Sequence, residues 1–109
     1  MTESEFLTLY DQIMRSIETQ VDHWFDELNV EVEPVRNGSV LTLDFDSGVS
    51  IIINSQAPLQ EIWVAAPEGG FHYTLRDGQW FDTRGGGELA ESLSRMCTAA
   101  AGRPLQITL

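Results

Sequence analysis

The sequence predicts an α+β fold: a two-layer α/β sandwich with N- and C-terminal helices packed on one face of an antiparallel sheet of about six strands. Three observations point to it. An amphipathic pattern without proline or glycine runs from the first residues to about residue 25. Short alternating segments follow, separated by Asn-Gly, Asp-Gly and other turn signals. A second amphipathic segment then precedes the C-terminus. An antiparallel sheet has one apolar face to bury, and two single-striped helices can cover it while the other face stays open to water. The length of 109 residues suits one domain, residues 1–109, large enough to hold a core without disulfides or metals.

The elements follow in order. Thr2 and Glu5 have the form of a capping box and start a helix at the N-terminus. Phe6, Leu9, Tyr10, Ile13, Met14, Ile17, Val21, Trp24 and Leu28 fall in one sector at helical spacing. Asp11, Glu18, Asp22 and Asp26 fall in the opposite sector, so the helix over roughly residues 3 to 25 carries an acidic outer ridge. Val30-Glu31-Val32-Glu33 alternates with period two and reads as the first strand. Its outward acids would extend the ridge into one continuous acidic surface. Asn37-Gly38 is a turn, and Leu41, Leu43 and Phe45 alternate with Thr42, Asp44 and Asp46 in a second strand.

Asp46-Ser47-Gly48 turns the chain into a third strand, where Val49, Ile51 and Ile53 oppose Ser50 and Asn54. After a Pro58-containing connection, Ile62 and Val64 continue the apolar side and Glu61 and Trp63 the polar side. A tryptophan in phase with amides and a carboxylate belongs to the uncovered face. Pro67-Glu68-Gly69-Gly70 is another turn. Phe71, Tyr73 and Leu75 alternate with His72, Thr74 and Arg76, and Asp77-Gly78 closes a hairpin onto Gln79-Trp80-Phe81-Asp82. Gly85-Gly86-Gly87 breaks the chain before a helix from Glu88 to about Ala101, with Leu89, Leu93, Met96, Cys97 and Ala100 on one face. Gly102 suits its C-cap and Pro104 stops it. Leu105 to Leu109 is a last strand or a plug.

Charge is the strongest global signal. Seventeen acids against six bases give −11, and every base is arginine. Residues 1–33 hold nine of the acids with Arg15 as their single base. Such a field repels phosphates, which argues against nucleic acid and anionic membrane and favours cations or a basic protein surface. No run approaches the roughly 18 apolar residues of a membrane span. With 42% hydrophobic residues the composition is globular, not disordered. The lone Cys97 and the acidic start, which lacks the marks of a signal or transit sequence, make a cytoplasmic protein the expectation.

No phosphate loop, nucleophile elbow, Cys/His metal spacing or lysine is present, so an enzyme is not expected. Carboxylates are hard ligands suited to iron and other divalent cations. Acids spread over one exposed surface, without a loop to wrap an ion, imply weak and poorly selective binding. The same ridge also reads as a plain solvated face, or as a surface steered onto a basic enzyme patch. His23 borders the ridge beside Asp22, and Cys97 is most simply a buried small hydrophobe. Trp24 and Trp80 belong to the core.

The Ser4-Glu5-Phe6 lead-in, the acidic helix, Asn54-x-Gln56-x-Pro58 with Ile62-Trp63, Gly69-Gly70-Phe71-His72-Tyr73, Asp77-Gly78-Gln79-Trp80 and the Leu-rich last helix together resemble the frataxin family, specifically its short bacterial CyaY branch. The similarity spans nearly the whole chain. It implies the same sandwich and an iron-binding protein of iron–sulfur cluster assembly. It also implies cysteine desulfurase and iron–sulfur scaffold protein as partners, a regulatory role that tends to slow the machinery, and possible iron donation.

Carried over by position, the metal side is Glu18, Asp22, Asp26, Glu27, Glu31 and Glu33. The partner side is Asn54, Gln56, Gln60 and Trp63. Asn54 and Gln56 could instead tie down the Pro58 turn. Iron, ferrous or ferric, would be weakly held against competing divalent cations. The protein would be a monomer, with oligomerisation under iron and a weak ferroxidase-like activity both left open. The alternative is an acidic protein-binding adaptor whose metal binding is incidental. Three departures from the family pattern stand out. Gln20, His23 and Phe25 dilute the acid run. Pro34-Val35-Arg36 puts a proline and a positive charge in the loop after the first strand. Glu61 stands where many relatives have glutamine.

Overall fold

The computed structural model describes residues 1–109. Helix α1 spans Glu3–Leu28, followed by strands β1 Val32–Asn37, β2 Val40–Phe45, β3 Ser50–Gln56, β4 Glu61–Ala66, β5 Gly69–Arg76 and β6 Gln79–Asp82, and then helix α2 Leu89–Ala101. A single 3-10 turn, Ala57–Leu59, joins β3 to β4. All six strands are antiparallel to their neighbours and lie in sequence order, a pure meander. The α+β sandwich is therefore as the sequence predicts. No helix is long and apolar enough to cross a membrane.

The capping box forms in full: the Glu5 amide donates to Thr2 Oγ1 at 3.1 Å and the Thr2 amide to Glu5 Oε1 at 2.8 Å. Phe6, Tyr10, Met14, Ile17, Val21 and Trp24 are buried along one stripe of α1, and Leu89, Leu93, Met96, Cys97 and Ala100 along one stripe of α2. They meet Leu41, Leu43, Phe45, Ile51, Ile53, Ile62, Val64 and Tyr73 from the covered sheet face in one core. The Tyr10 hydroxyl donates to the Ser39 carbonyl at 2.5 Å and the Ile53 carbonyl at 3.3 Å, fastening α1 to the first hairpin and to β3.

Two boundaries differ from the sequence reading. Helix α1 runs one turn further, to Leu28, and ends at Asn29 in the left-handed conformation (φ 56°). The Val30 amide then donates to the Trp24 carbonyl and the Val30 side chain is buried, so Val30 closes the helix instead of opening a strand. Strand β1 consequently starts at Val32 and runs through Pro34 and Arg36. The segment expected as a loop is an edge strand, the one place in a sheet where a proline without an N–H is tolerated. This shift turns Arg36 toward α1, since it pairs with Leu41 on the covered face.

The C-terminal segment is a plug and not a strand. Leu105 and Ile107 are buried. The backbone of the segment bonds to side chains: Thr98 Oγ1 receives the Leu105 amide at 3.0 Å, Ser94 Oγ the Ile107 amide at 2.8 Å, and Gln20 Oε1 the Thr108 amide at 2.9 Å. Two hydroxyls on α2 and an amide on α1 thus satisfy donors that no neighbouring strand reaches.

Candidate functional site

The acidic ridge divides into two halves of different electrostatic character. Toward the N-terminus, Asp11 accepts from Arg15 Nε at 2.8 Å and from Arg36, whose other nitrogen donates to Glu18 Oε1 at 3.1 Å. The hydrogen bond from Arg36 holds the Asp11 carboxyl below the usual carboxylate range, against the opposing effect of burial. Burial alone would lower the Arg36 guanidinium, but its hydrogen bonds to Asp11 and Glu18 hold it raised.

Beyond Glu18 no basic partner follows. Asp22, Asp26, Glu27, Glu31 and Glu33 are exposed, and none takes part in an ion pair. Asp22 lies in the last two turns of α1, and Asp26 and Glu27 in its final turn, which holds no basic residue. Negative charge there opposes the partial charge of the helix C-terminus. Glu33 lies directly opposite Asp44 across the β1–β2 ladder, a like-charge pairing that sheets disfavour.

An open groove of about 580 Å³ wraps this end of the sandwich. Val21, Phe25, Val32, Pro34 and Phe45 line it together with Asp22, Glu31, Glu33, Asp44 and Asp46. Three of the six acids expected on the metal side, Asp22, Glu31 and Glu33, come together there. Asp26 and Glu27 lie outside the groove on the helix end, and Glu18 lies in the neutralised half. The sequence reading omits Asp44 and Asp46; the outward phase of Asp44 on β2, opposite Glu33, is the signal for the first, whereas Asp46 lies in the turn after β2, where its amide donates to the Glu31 carbonyl. No three acid, His or Cys side chains converge closely enough to hold an ion. The donors suit hard cations by chemistry, but only as a dispersed surface and not as a cage.

On the uncovered sheet face, Asn54, Trp63 and His72 lie in one row across β3, β4 and β5, and Gln56, Glu61 and Thr74 in the next. The Trp63 indole stacks on the His72 imidazole with centroids 4.0 Å apart and planes 5° from parallel. Its Nε1–H donates to Glu61 Oε1 at 2.9 Å, and the same oxygen is 3.8 Å from His72 Nδ1. Glu61 therefore positions the indole, and the stacking holds the imidazole against it. The side-chain amides of Asn54 and Gln56 make no hydrogen bond within the chain, so they do not fasten the Pro58 turn and face outward with the indole. Gln60 differs from them. It sits left-handed at the end of the 3-10 turn (φ 53°), and its amide donates to the Met1 carbonyl at 2.6 Å.

Comparison with known proteins gives a consistent answer. A family model described as a frataxin-like domain matches residues 1–103. The iron-sulfur cluster assembly protein CyaY of Bordetella parapertussis is 50% identical over 109 residues, covering 100% of both chains. The solved structure of a frataxin from Psychromonas ingrahamii superposes with a TM-score of 0.86 at 36% identity, covering 100% of each chain. A trimeric frataxin from the yeast Saccharomyces cerevisiae, complexed with ferrous iron, superposes with a TM-score of 0.59 at 25% identity, over 79% of this chain and 85% of that one.

Proposed function

The chain belongs to the frataxin family, and from that premise we propose that it serves iron–sulfur cluster assembly by carrying iron loosely on one surface and meeting the assembly machinery with another. The observation that carries this reading is the unpaired half of the ridge. Asp22, Asp26, Glu27, Glu31 and Glu33 lack basic partners, and some of them are placed against a helix end or against Asp44. A fold keeps such repulsion at a cost in stability, and a cation arriving from solution relieves it.

Iron here is cargo. Exposed carboxylates that do not close around an ion give weak, exchangeable binding, open to competition from other divalent cations. Such binding holds iron without withdrawing it from use. The Trp63 face supplies the second surface, with an aromatic plate already fixed by His72 and Glu61 and free amides on Asn54 and Gln56. Cysteine desulfurase and the iron–sulfur scaffold protein are the partners this reading assigns, and regulation of their turnover is the role, without a catalytic residue in this chain. The buried, unpaired Cys97 suits a reducing compartment such as the cytoplasm.

The test is cluster formation reconstituted from desulfurase, scaffold, ferrous iron and cysteine, with and without this protein over a range of iron levels. A rate that changes with the protein, by an amount that depends on iron, supports the proposal. An unchanged rate at every iron level overturns it. A purely protein-binding adaptor is favoured by the lack of three converging carboxylates, and it would change the rate equally at all iron levels.

A further inference from the structure

We propose that Arg36 is a built-in counter-ion that closes the N-terminal half of the α1 ridge to outside cations and so confines metal to the half beyond Glu18. The inference rests on the reading above that ridge carboxylates take cations. It goes further by naming the residue that decides which of them do.

The boundary falls between two neighbours one turn apart on the same helix face, Glu18 and Asp22. On one side, both Asp11 oxygens and one Glu18 oxygen are occupied by guanidinium nitrogens. On the other, no guanidinium reaches a carboxylate. Arg103, the basic residue nearest the helix end, donates instead to the Leu28 carbonyl. His23 stands exposed beside Asp22 and makes no ion pair.

Arg36 suits the task physically. Its side chain is 26% exposed and that of Glu18 30%, so solvent screens this bridge less than a fully exposed one. A guanidinium stays charged at any pH the fold survives. It is also tethered. A charge held by a few bonds on a neighbouring strand acts at an effective concentration on the order of millimolar or more. Weak exposed carboxylates bind free divalent ions in about that range. A metal must therefore displace Arg36 before it can use Asp11 or Glu18, whereas at Asp22, Glu31 and Glu33 it displaces only water.

The position depends on the register described above. A strand ending at Glu33, followed by a loop, would leave Arg36 free to swing into solvent. With β1 running through to Asn37, Arg36 is held opposite Leu41 and aimed at α1. Pro34, two residues earlier on the same face, helps fix that stretch.

The experiment is a titration with magnesium(II), a diamagnetic ion, followed by the NMR shifts of the side-chain carboxyl carbons, on the unsubstituted protein and on Arg36→Gln, Arg36→Lys and Arg84→Gln. Arg84 lies exposed in the loop before α2 and forms no ion pair, so its loss changes net charge by the same amount away from the ridge. In the unsubstituted protein, the Asp11 and Glu18 carboxyl shifts should stay constant at magnesium levels that move those of Asp22 and Glu33. In Arg36→Gln, Asp11 and Glu18 should move alongside them. Arg36→Lys, which keeps the charge, should show a smaller change, and Arg84→Gln none. Should Arg36→Gln lose its dispersed spectrum, Arg36→Met, which keeps the apolar stem, takes its place. A magnesium-dependent shift at Asp11 in the unsubstituted protein equal to that at Asp22 overturns the proposal. So does an Arg36→Gln protein in which Asp11 and Glu18 do not respond, or an Arg84→Gln protein that gains as much. Silence at Asp22 to Glu33 in the unsubstituted protein would overturn the iron-carrying reading instead, while the Arg36→Gln result still decides this one.

Discussion

Trp63 and His72 face each other across β4 and β5 with their rings 4.0 Å apart and 5° from parallel, on the side of the sheet that no helix covers. A half-buried indole on an open sheet face usually loses side-chain freedom when it binds. This one is already held, by the imidazole beneath it and by Glu61 at its Nε1–H. Preorganised aromatic groups of this kind are where binding energy concentrates. Trp63→Ala should therefore weaken binding to the desulfurase–scaffold machinery by about 2 kcal/mol or more. His72→Ala should weaken it less, by freeing the indole without removing it. Titration calorimetry at two salt concentrations checks this, with thermal unfolding to show that both variants stay folded.

Glu33 opposite Asp44 leads to a prediction of the reverse kind. Glu33→Gln removes a like-charge pair and should stabilise the fold by roughly 0.2–1 kcal/mol in denaturant unfolding. A divalent cation that raises the melting temperature of the unsubstituted protein should raise that of Glu33→Gln by less. The two measurements together separate electrostatic relief at this pair from a general effect of salt.

Tyr10 tests how the sandwich is fastened. Its hydroxyl serves two carbonyls, those of Ser39 and Ile53, and burial pushes its ionisation well above the ordinary phenol range. Tyr10→Phe leaves the ring in place and removes both bonds, so it should cost about 1–3 kcal/mol in urea unfolding.

Cys97 is fully buried on α2, and burial pushes its thiol up from 9.0 to about 12. The folded state therefore keeps a proton that the unfolded chain would lose. The stability linked to this group is fully present below pH 9, declines above it and is lost as pH rises through about 12. At pH 8 a thiol reagent should label Cys97 only as fast as the protein opens, and in denaturant at the rate of a free thiol. Rapid labelling of the native protein would contradict the burial.

Much of this architecture is legible because each element carries its own period. The α1 stripe from Phe6 to Trp24, the Ile51–Ile53 and Ile62–Val64 alternation and the Asp77-Gly78 turn identify their elements without help from distant residues. The start of β1 was less legible, because Val30 to Glu33 alternates like a strand although Val30 is claimed by the helix end. The C-terminal plug was ambiguous for a related reason. Its alternation is real, but its hydrogen bonds go to Ser94, Thr98 and Gln20, whose hydroxyl and amide partners leave no trace in hydropathy. At the candidate site, the open-face placement of Trp63, Asn54 and His72 follows from alternation alone. The Trp63–His72 stack does not, though both residues lie equally far from the Pro67–Glu68 turn. The division of the ridge by Arg36 depends on a bridge from one element to another, and no local pattern encodes it.

The central claim is that iron and the assembly partners use separate surfaces, and an anaerobic titration with ferrous iron, followed by amide NMR, tests it most directly. Broadening should concentrate at Asp22, Asp26, Glu27, Glu31 and Glu33, with Asp44 and Asp46 beside them, and leave Asn54, Trp63 and His72 sharp. Broadening centred on Trp63 and His72, or none along the ridge at any iron level, would contradict it.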